Sequence, residues 1–191
     1  MSVRPTASAL DSVSAKNRQP GKDRGFTLVE LLAAIAIIAI LAVLVAPNYK
    51  SWLAKASQAK CMANMRSIHL ALGSYLNDNR DIWPQGPSPL EGDAWAEFWV
   101  KRLEPQGVSP RTWECPAIYR MLGNPPRDKV KAELVHYIPT MFDDKPGTAR
   151  QWPTQPWLVE RADAHGNGAL ICFTDGSIKP FNKVLAELGN R

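Results

Sequence analysis

The stretch "RGFTLVELLAAIAIIAILAVLVAP", Arg24 to Pro47, decides how the rest of the chain is read. Phe26 to Ala46 are twenty-one residues, apolar except for Thr27 and Glu30. At 1.5 Å per residue the run is long enough to cross a hydrocarbon core of about 30 Å. A secretory signal has a shorter apolar core, 7–15 residues, followed by a small-residue cleavage site. Here the run continues into "NYKSWLAKASQAKC" with no such site. A carboxylate inside a membrane-length run is costly, and ionisable groups in such places are functional by default.

Charge gives the run a direction. Residues 1–25 carry Arg4, Lys16, Arg18, Lys22 and Arg24 against Asp11 and Asp23, so they hold +3 of the net +5. Basic residues ahead of an apolar span keep that side cytoplasmic and send the remainder across. The expectation is a single-pass protein of the inner, cytoplasmic membrane with its C-terminal domain outside the cytoplasm. The charge sits in the leader, and no basic stripe or RNA-binding motif accompanies it, so no specific nucleic-acid partner is expected.

Residues 48–79 contain no proline and one glycine, Gly73. Cys61, Met65, Ile68, Leu72 and Tyr75 recur at 4-3-4-3 spacing and make one apolar stripe, with Lys60, Asn64 and Ser67 off it. "LNDNRDIWP" supplies the stop. Residues 26–79 read as one helix of about 80 Å, kinked by Pro47. Its first half is apolar all round. Its second half, 47–79, is amphipathic and needs a domain to lean on.

These residues resemble the N-terminus of type IV pilins and type II secretion pseudopilins: a basic leader, Gly25, Phe26, a glutamate five residues after the glycine, and Pro47 and Tyr49 beyond the apolar helix. The resemblance implies that prepilin peptidase cuts between Gly25 and Phe26 and methylates the new Phe26 amine. It implies that Glu30 pairs with the amine of a neighbouring subunit during filament assembly; a pair within one chain is the plainer alternative. "HGNGALICFTDG" resembles the H-x9-DG signature of a prepilin-like subfamily, with His165, Asp175 and Gly176 as its members. "AKCMANMRSIHLALGSYLNDNRDIWP" and "WECPA" also resemble that subfamily. The implied fold is α+β, a long N-terminal helix packed on a small antiparallel sheet. The implied function is a structural subunit of a type II secretion or type IV pilus-like filament, working with other pilin-like subunits.

Residues 80–191 suffice for one small core. "ALICFTDGSIKPF" reads as a hairpin around Asp175-Gly176, with Pro180 marking an edge strand. "VHYIPTMF" reads as a strand. "DAWAEFWVKRLEP" reads as a helix with Trp95, Phe98, Trp99 and Leu103 on one face. His165 is expected to anchor the strand entry and Asp175 to serve the turn. No nucleophile-base set appears, so no enzyme and no cofactor are read. Cys115 and Cys172 are a candidate disulfide in an oxidising compartment, with Cys61 in the core. The cysteines and histidines lack CxxC or HxxxH spacing, so no zinc site is read. Asp143 and Asp144 in "FDDKPGT" are a candidate calcium loop that some pseudopilins use, although EF-hand spacing is missing. An alternative function is a minor or tip subunit that grips a polysaccharide or exported protein. Exposure of Trp83, Trp95, Trp99, Trp113, Trp152 and Trp157 in a cleft would favour it, and their burial a plain core.

Overall fold

The computed structural model describes residues 26–45, 49–86 and 91–189. The leader, including Gly25, and the expected kink at Pro47 lie outside the described residues. Two units make up the chain, residues 1–46 and 47–191.

In the first unit, helix α1 spans Leu28–Val45. Its large side chains are exposed on every face, from Leu28 and Val29 through Ile37 and Ile38 to Val43 and Leu44. Among the described residues no single helix is long and apolar enough to cross a membrane. Leu28–Leu44 and Tyr49–Asp78 together reach that length and composition.

The second unit is built along helix α2, Tyr49–Asp78. Cys61, Met65, Ile68 and Leu72 are fully buried and Tyr75 is partly so, as the stripe requires. Asn64 departs from the expectation. It is buried too, because it lies three residues from Cys61 on the same side, and its amide donates to the Glu114 carbonyl at 2.9 Å. Arg80 and Asp81, both with left-handed φ, end the helix run. The first turns of α2 stay open, with Tyr49, Trp52 and Leu53 exposed.

Helix α3, Gly92–Leu103, buries Ala96, Trp99, Val100 and Leu103, with Trp95 and Phe98 half-covered beside them. A short turn at Pro110–Trp113 and helix α4, Pro116–Met121, follow and pack on α2. The sheet has four antiparallel strands in sequence order: β1 Tyr137–Pro139, β2 Pro156–Glu160, β3 Leu170–Phe173 and β4 Ile178–Pro180. β3 and β4 are the expected hairpin, joined through Asp175-Gly176, and Pro180 ends the edge strand. Helix α5, Phe181–Gly189, closes the described chain.

The tryptophans divide clearly. Trp83, Trp99, Trp113 and Trp157 are buried, and Trp83 touches Trp99, Trp157 and Phe142 at ring distances of 4.8–6.1 Å. Only Trp152 of the six named above is exposed. They form a core, not a cleft. Aromatic pairs of this kind add about 0.5–1.5 kcal/mol each beyond the area they bury.

Trp99→Ala in the detergent-solubilised full chain is expected to lower the denaturant stability of the domain by about 3–5 kcal/mol. Trp152→Ala should stay within about 0.5 kcal/mol of the parent. Equal effects at the two positions would contradict this core.

Candidate functional site

Two places carry the chemistry that the sequence singled out. The first is the start of α1. Thr27 stands immediately before the helix and Glu30 is three residues on. The Glu30 carboxylate accepts the Thr27 backbone N–H at 2.8 Å and the Thr27 hydroxyl at 2.9 Å. The Glu30 N–H donates back to the Thr27 hydroxyl oxygen at 3.2 Å. This is a reciprocal capping box, which satisfies amide groups that a helix start leaves without partners. The pattern Thr-x-x-Glu is visible in "TLVE", and it gives Glu30 a partner other than the Phe26 amine. Phe26, just outside the box, is exposed.

The second place lies inside the second unit, where α2, the turn before α4, the end of β2 and the loop before β3 meet. β2 explains one unusual member. A register shift between Pro156 and Leu158 lets Trp157 and Leu158 both bury in succession. From Leu158 onward the alternation places Glu160 on the inner face, 2% exposed. Glu160 accepts the Leu170 N–H at 3.2 Å and meets His165 Nε2 at 3.3 Å. Burial, with the charge of Asp163 adding to it, pushes the Glu160 carboxyl up to about 7.

His165 is oriented by its own loop. Asp163 accepts the N–H groups of His165 and Gly166 at 3.2 and 2.8 Å. The imidazole is 1% exposed, lies 3.6 Å from the Cys115 sulfur, and leaves Nδ1 buried without a partner. Burial lowers its pKa, so it favours the neutral ring. The neighbouring His136 is also pushed down by burial. It accepts the Cys115 N–H on Nδ1 at 2.8 Å and donates from Nε2 to the Glu133 carbonyl at 2.9 Å. Cys115 is thereby held against the stretch before β1.

The cysteine pairing corrects the expectation. Cys115 is bonded to Cys61, not to Cys172, with Cα atoms 5.2 Å apart. Cys61 faces the turn that carries Cys115. Cys172 points from β3 into its own buried surroundings, contacts the Phe173 carbonyl, and is free. Its thiol is pushed up to about 12, chiefly by burial, which leaves it inert.

His165 and Asp175, paired in the sequence signature, have separate partners. Asp175 accepts the Ser177 N–H at 2.8 Å and shapes the turn; the Ser177 contacts hold its carboxyl below the usual range. The histidine at that turn is His69. It donates from Nε2 to the Thr174 carbonyl at 3.0 Å and stacks on Trp157 at 4.7 Å. Gly176 has φ 78°, and a Cβ there would come within 3.3 Å of the His69 ring. Glycine is therefore required twice over, for conformation and for space.

Asp143 serves its own loop. It accepts from the Thr148 hydroxyl at 2.6 Å and the Lys145 N–H at 3.2 Å, with the Lys145 ammonium 3.9 Å away. A different set of ligating groups converges. Among the described residues, one donor atom each from Cys61, Cys115, Glu160 and His165 lie within 4.8 Å of one another. No spacing in the sequence signals this set, since its members come from a helix, a turn, a strand end and a loop.

An exposed apolar helix opened by a capping box, followed in the chain by a helix buried on a small antiparallel sheet, defines a pilin-like subunit. The prokaryotic N-terminal methylation motif matches residues 20–46. The type II secretion system core protein G of Escherichia coli K12 is 40% identical over 97 residues, covering 45% of this chain and 67% of that protein. The type IV major pilin protein PilA of Myxococcus xanthus is 35% identical over 57 residues, 30% of this chain and 26% of that protein. The type IV major fimbrial protein FimA of Dichelobacter nodosus is 31% identical over 75 residues, 37% of this chain and 48% of that protein. No solved structure matches the chain. The chain belongs to the type IV pilin and type II secretion pseudopilin family. It spans between about a quarter and two thirds of the length of these relatives.

Thiol mapping tests the pairing. Without reductant, denatured chain should yield one alkylatable thiol, Cys172 by peptide mass. Cys172→Ser should leave the cross-link intact and Cys61→Ser should abolish it. A peptide joining Cys115 to Cys172 would refute the assignment.

Proposed function

We propose that this chain is a structural subunit of a type II secretion or type IV pilus-like filament. Prepilin peptidase would cut it between Gly25 and Phe26 and methylate the Phe26 amine. α1 then anchors it as a single pass in the inner membrane, N-terminus cytoplasmic and domain outside, until it joins neighbouring subunits. The observation that carries this reading is α1 itself. A wholly exposed apolar helix, in register with a matching methylation motif, needs a bilayer or other helices around it. The names of the relatives, a secretion core protein and two major pilus proteins, support the same reading. The buried tryptophans offer no surface to a bound polysaccharide, so a tip-binding role has no support here. A structural rather than catalytic role also accords with His165, whose imidazole is closed off from solvent.

The capping box sharpens the role of Glu30. In the uncleaved chain the carboxylate is held by Thr27, one residue from the future amine. A neighbour's Phe26 amine would replace neutral donors by a cation, a stronger partner in an apolar surround. Glu30 is then both a helix start in the membrane and an assembly contact in the filament.

The two roles separate experimentally. Co-expression with prepilin peptidase should give a mature chain whose mass begins at methylated Phe26. Glu30→Ala should still be cut but should fall out of sheared filaments. Thr27→Val, which removes the cap and keeps the carboxylate, should still assemble. Assembly of Glu30→Ala at parental levels would overturn the proposal.

A further inference from the structure

We infer that Cys61, Cys115, Glu160 and His165 form a four-ligand site for a divalent transition-metal cation, Zn²⁺ by ligand chemistry, when the two cysteines are reduced. The argument begins with what a disulfide does not need. A bond between Cys61 and Cys115 requires neither a carboxylate nor an imidazole beside it. Yet the fully buried side chains of Glu160 and His165 lie beside it, with His165 Nε2 3.6 Å from the Cys115 sulfur and Glu160 against His165. Burying a carboxylate is unfavourable unless something compensates it. Here its hydrogen-bonding partners are the Leu170 N–H and the His165 imidazole. A cation at the centre of the four groups supplies the missing charge.

The distances fit. Tetrahedral zinc, with bonds of about 2.3 Å to sulfur and 2.0–2.2 Å to nitrogen or oxygen, sets its ligand atoms about 3.3–3.8 Å apart. His165 Nε2 lies 3.6 Å from the Cys115 sulfur and 3.3 Å from Glu160 Oε1. All four donor atoms fall within 4.8 Å of one another. Two thiolates with one imidazole and one carboxylate favour zinc over calcium or magnesium, which take oxygen ligands. The supporting shell is also present. His136 and the Asn64 amide hold the two ends of the peptide group that precedes the Cys115 side chain, through its N–H and the Glu114 carbonyl. Asp163 sets the His165 loop, and strand pairing opposite Tyr137 sets Glu160.

Metal and disulfide exclude each other, since both use the same two sulfurs. A disulfide oxidant converts one form to the other. Its S–S bond accepts two electrons and becomes two thiolates, the Cys61 and Cys115 thiolates join as the protein disulfide, and the cation leaves unchanged. The interior can therefore be cross-linked in two ways, by metal before oxidation or by the S–S bond after it. Both join α2 to the turn before α4, and the metal form adds β2 and the His165 loop.

The test uses the full chain in detergent, reduced with a phosphine that does not bind metal. Titration with Co²⁺ should give one equivalent bound, with a thiolate charge-transfer band in the near ultraviolet and the intense visible bands of tetrahedral cobalt. Zn²⁺ should bleach both. Glu160→Gln and His165→Asn should each weaken Zn²⁺ binding about a hundredfold or more in competition with a chromophoric chelator, beyond what loss of an outer-shell partner does. Cys172→Ser and His69→Gln, away from the site, should bind as the parent does. Glutathione disulfide should release the metal and restore the Cys61–Cys115 bond. Reduced parent chain that gives no tetrahedral cobalt spectrum would overturn the inference. So would binding that survives both ligand substitutions, with folding checked by circular dichroism. The parent spectrum decides the matter even where a variant fails to fold.

Discussion

The second unit, residues 47–191, depends on the burial of one face of α2. That face is apolar along its centre, through Cys61, Met65, Ile68, Leu72 and Leu76. Its margins are polar, and each margin residue holds a different segment. Ser57 accepts from Arg120 of α4 at 2.7 Å. Asn64 donates to the turn carrying Glu114, His69 to the β3–β4 turn, and the Gly73 carbonyl and Asn77 side chain both accept from Arg150. The helix is a rod of about 45 Å to which segments far apart in sequence are attached at successive turns. The two kinds of contact differ in weight. Each fully buried large apolar side chain contributes about 1.5–3 kcal/mol, and each hydrogen bond a net of about 0.5–1.5 kcal/mol. Burial therefore supplies most of the stability, while the polar margins decide which segment lies where.

The Cys61–Cys115 bond belongs to that arrangement and acts on it differently. It joins residues 54 apart in sequence, so its main effect is on the unfolded chain, typically about 2–4 kcal/mol. It also ties the turn before α4 to α2. His136, from the stretch just before β1, clamps the same turn through the Cys115 N–H. Glu114 beside it pairs with Arg127 through bonds of 2.6–3.0 Å, and Arg127 lies over the Tyr119 ring. A stretch with little secondary structure of its own is thus held by covalent, imidazole and ion-pair contacts at once.

The parts of this structure that a sequence shows are those with a period or a punctuating residue. The 4-3-4-3 stripe gave α2, the aromatic face gave α3, and Asp175-Gly176 gave the hairpin. β2 was hidden because its pattern is broken twice: the register shift buries Trp157 and Leu158 in succession, and Glu160 occupies an inward position where an apolar residue is the norm. The cysteine pairing was hidden because periodicity places Cys61 on the buried face but cannot say what lies opposite. The convergence of Glu160 and His165 on the cysteines needs the whole tertiary arrangement. The H-x9-DG pattern marks two places rather than one. Its two ends lie on either side of β3, and each answers to a different neighbour: His165 to Glu160 and Cys115, Gly176 to His69.

The two notable carboxylates meet the same physical demand under opposite conditions. Glu160 is enclosed by protein, so its environment is built once, at folding, and the hydrogen bonds it receives are fixed by strand register. Glu30 sits on a helix whose surroundings must change if the chain passes from a bilayer to a filament. A partner supplied by the helix's own first turn travels with it through both settings. Thr27 offers neutral donors from one residue outside the helix, which satisfy the carboxylate without neutralising it. The negative charge therefore remains available to a cation that arrives later, and the helix dipole, positive at this end, favours keeping it ionised meanwhile. A buried local ion pair would hold the carboxylate too firmly to exchange, and no local partner would leave it bare in lipid. A hydroxyl and an amide at the helix start lie between those extremes.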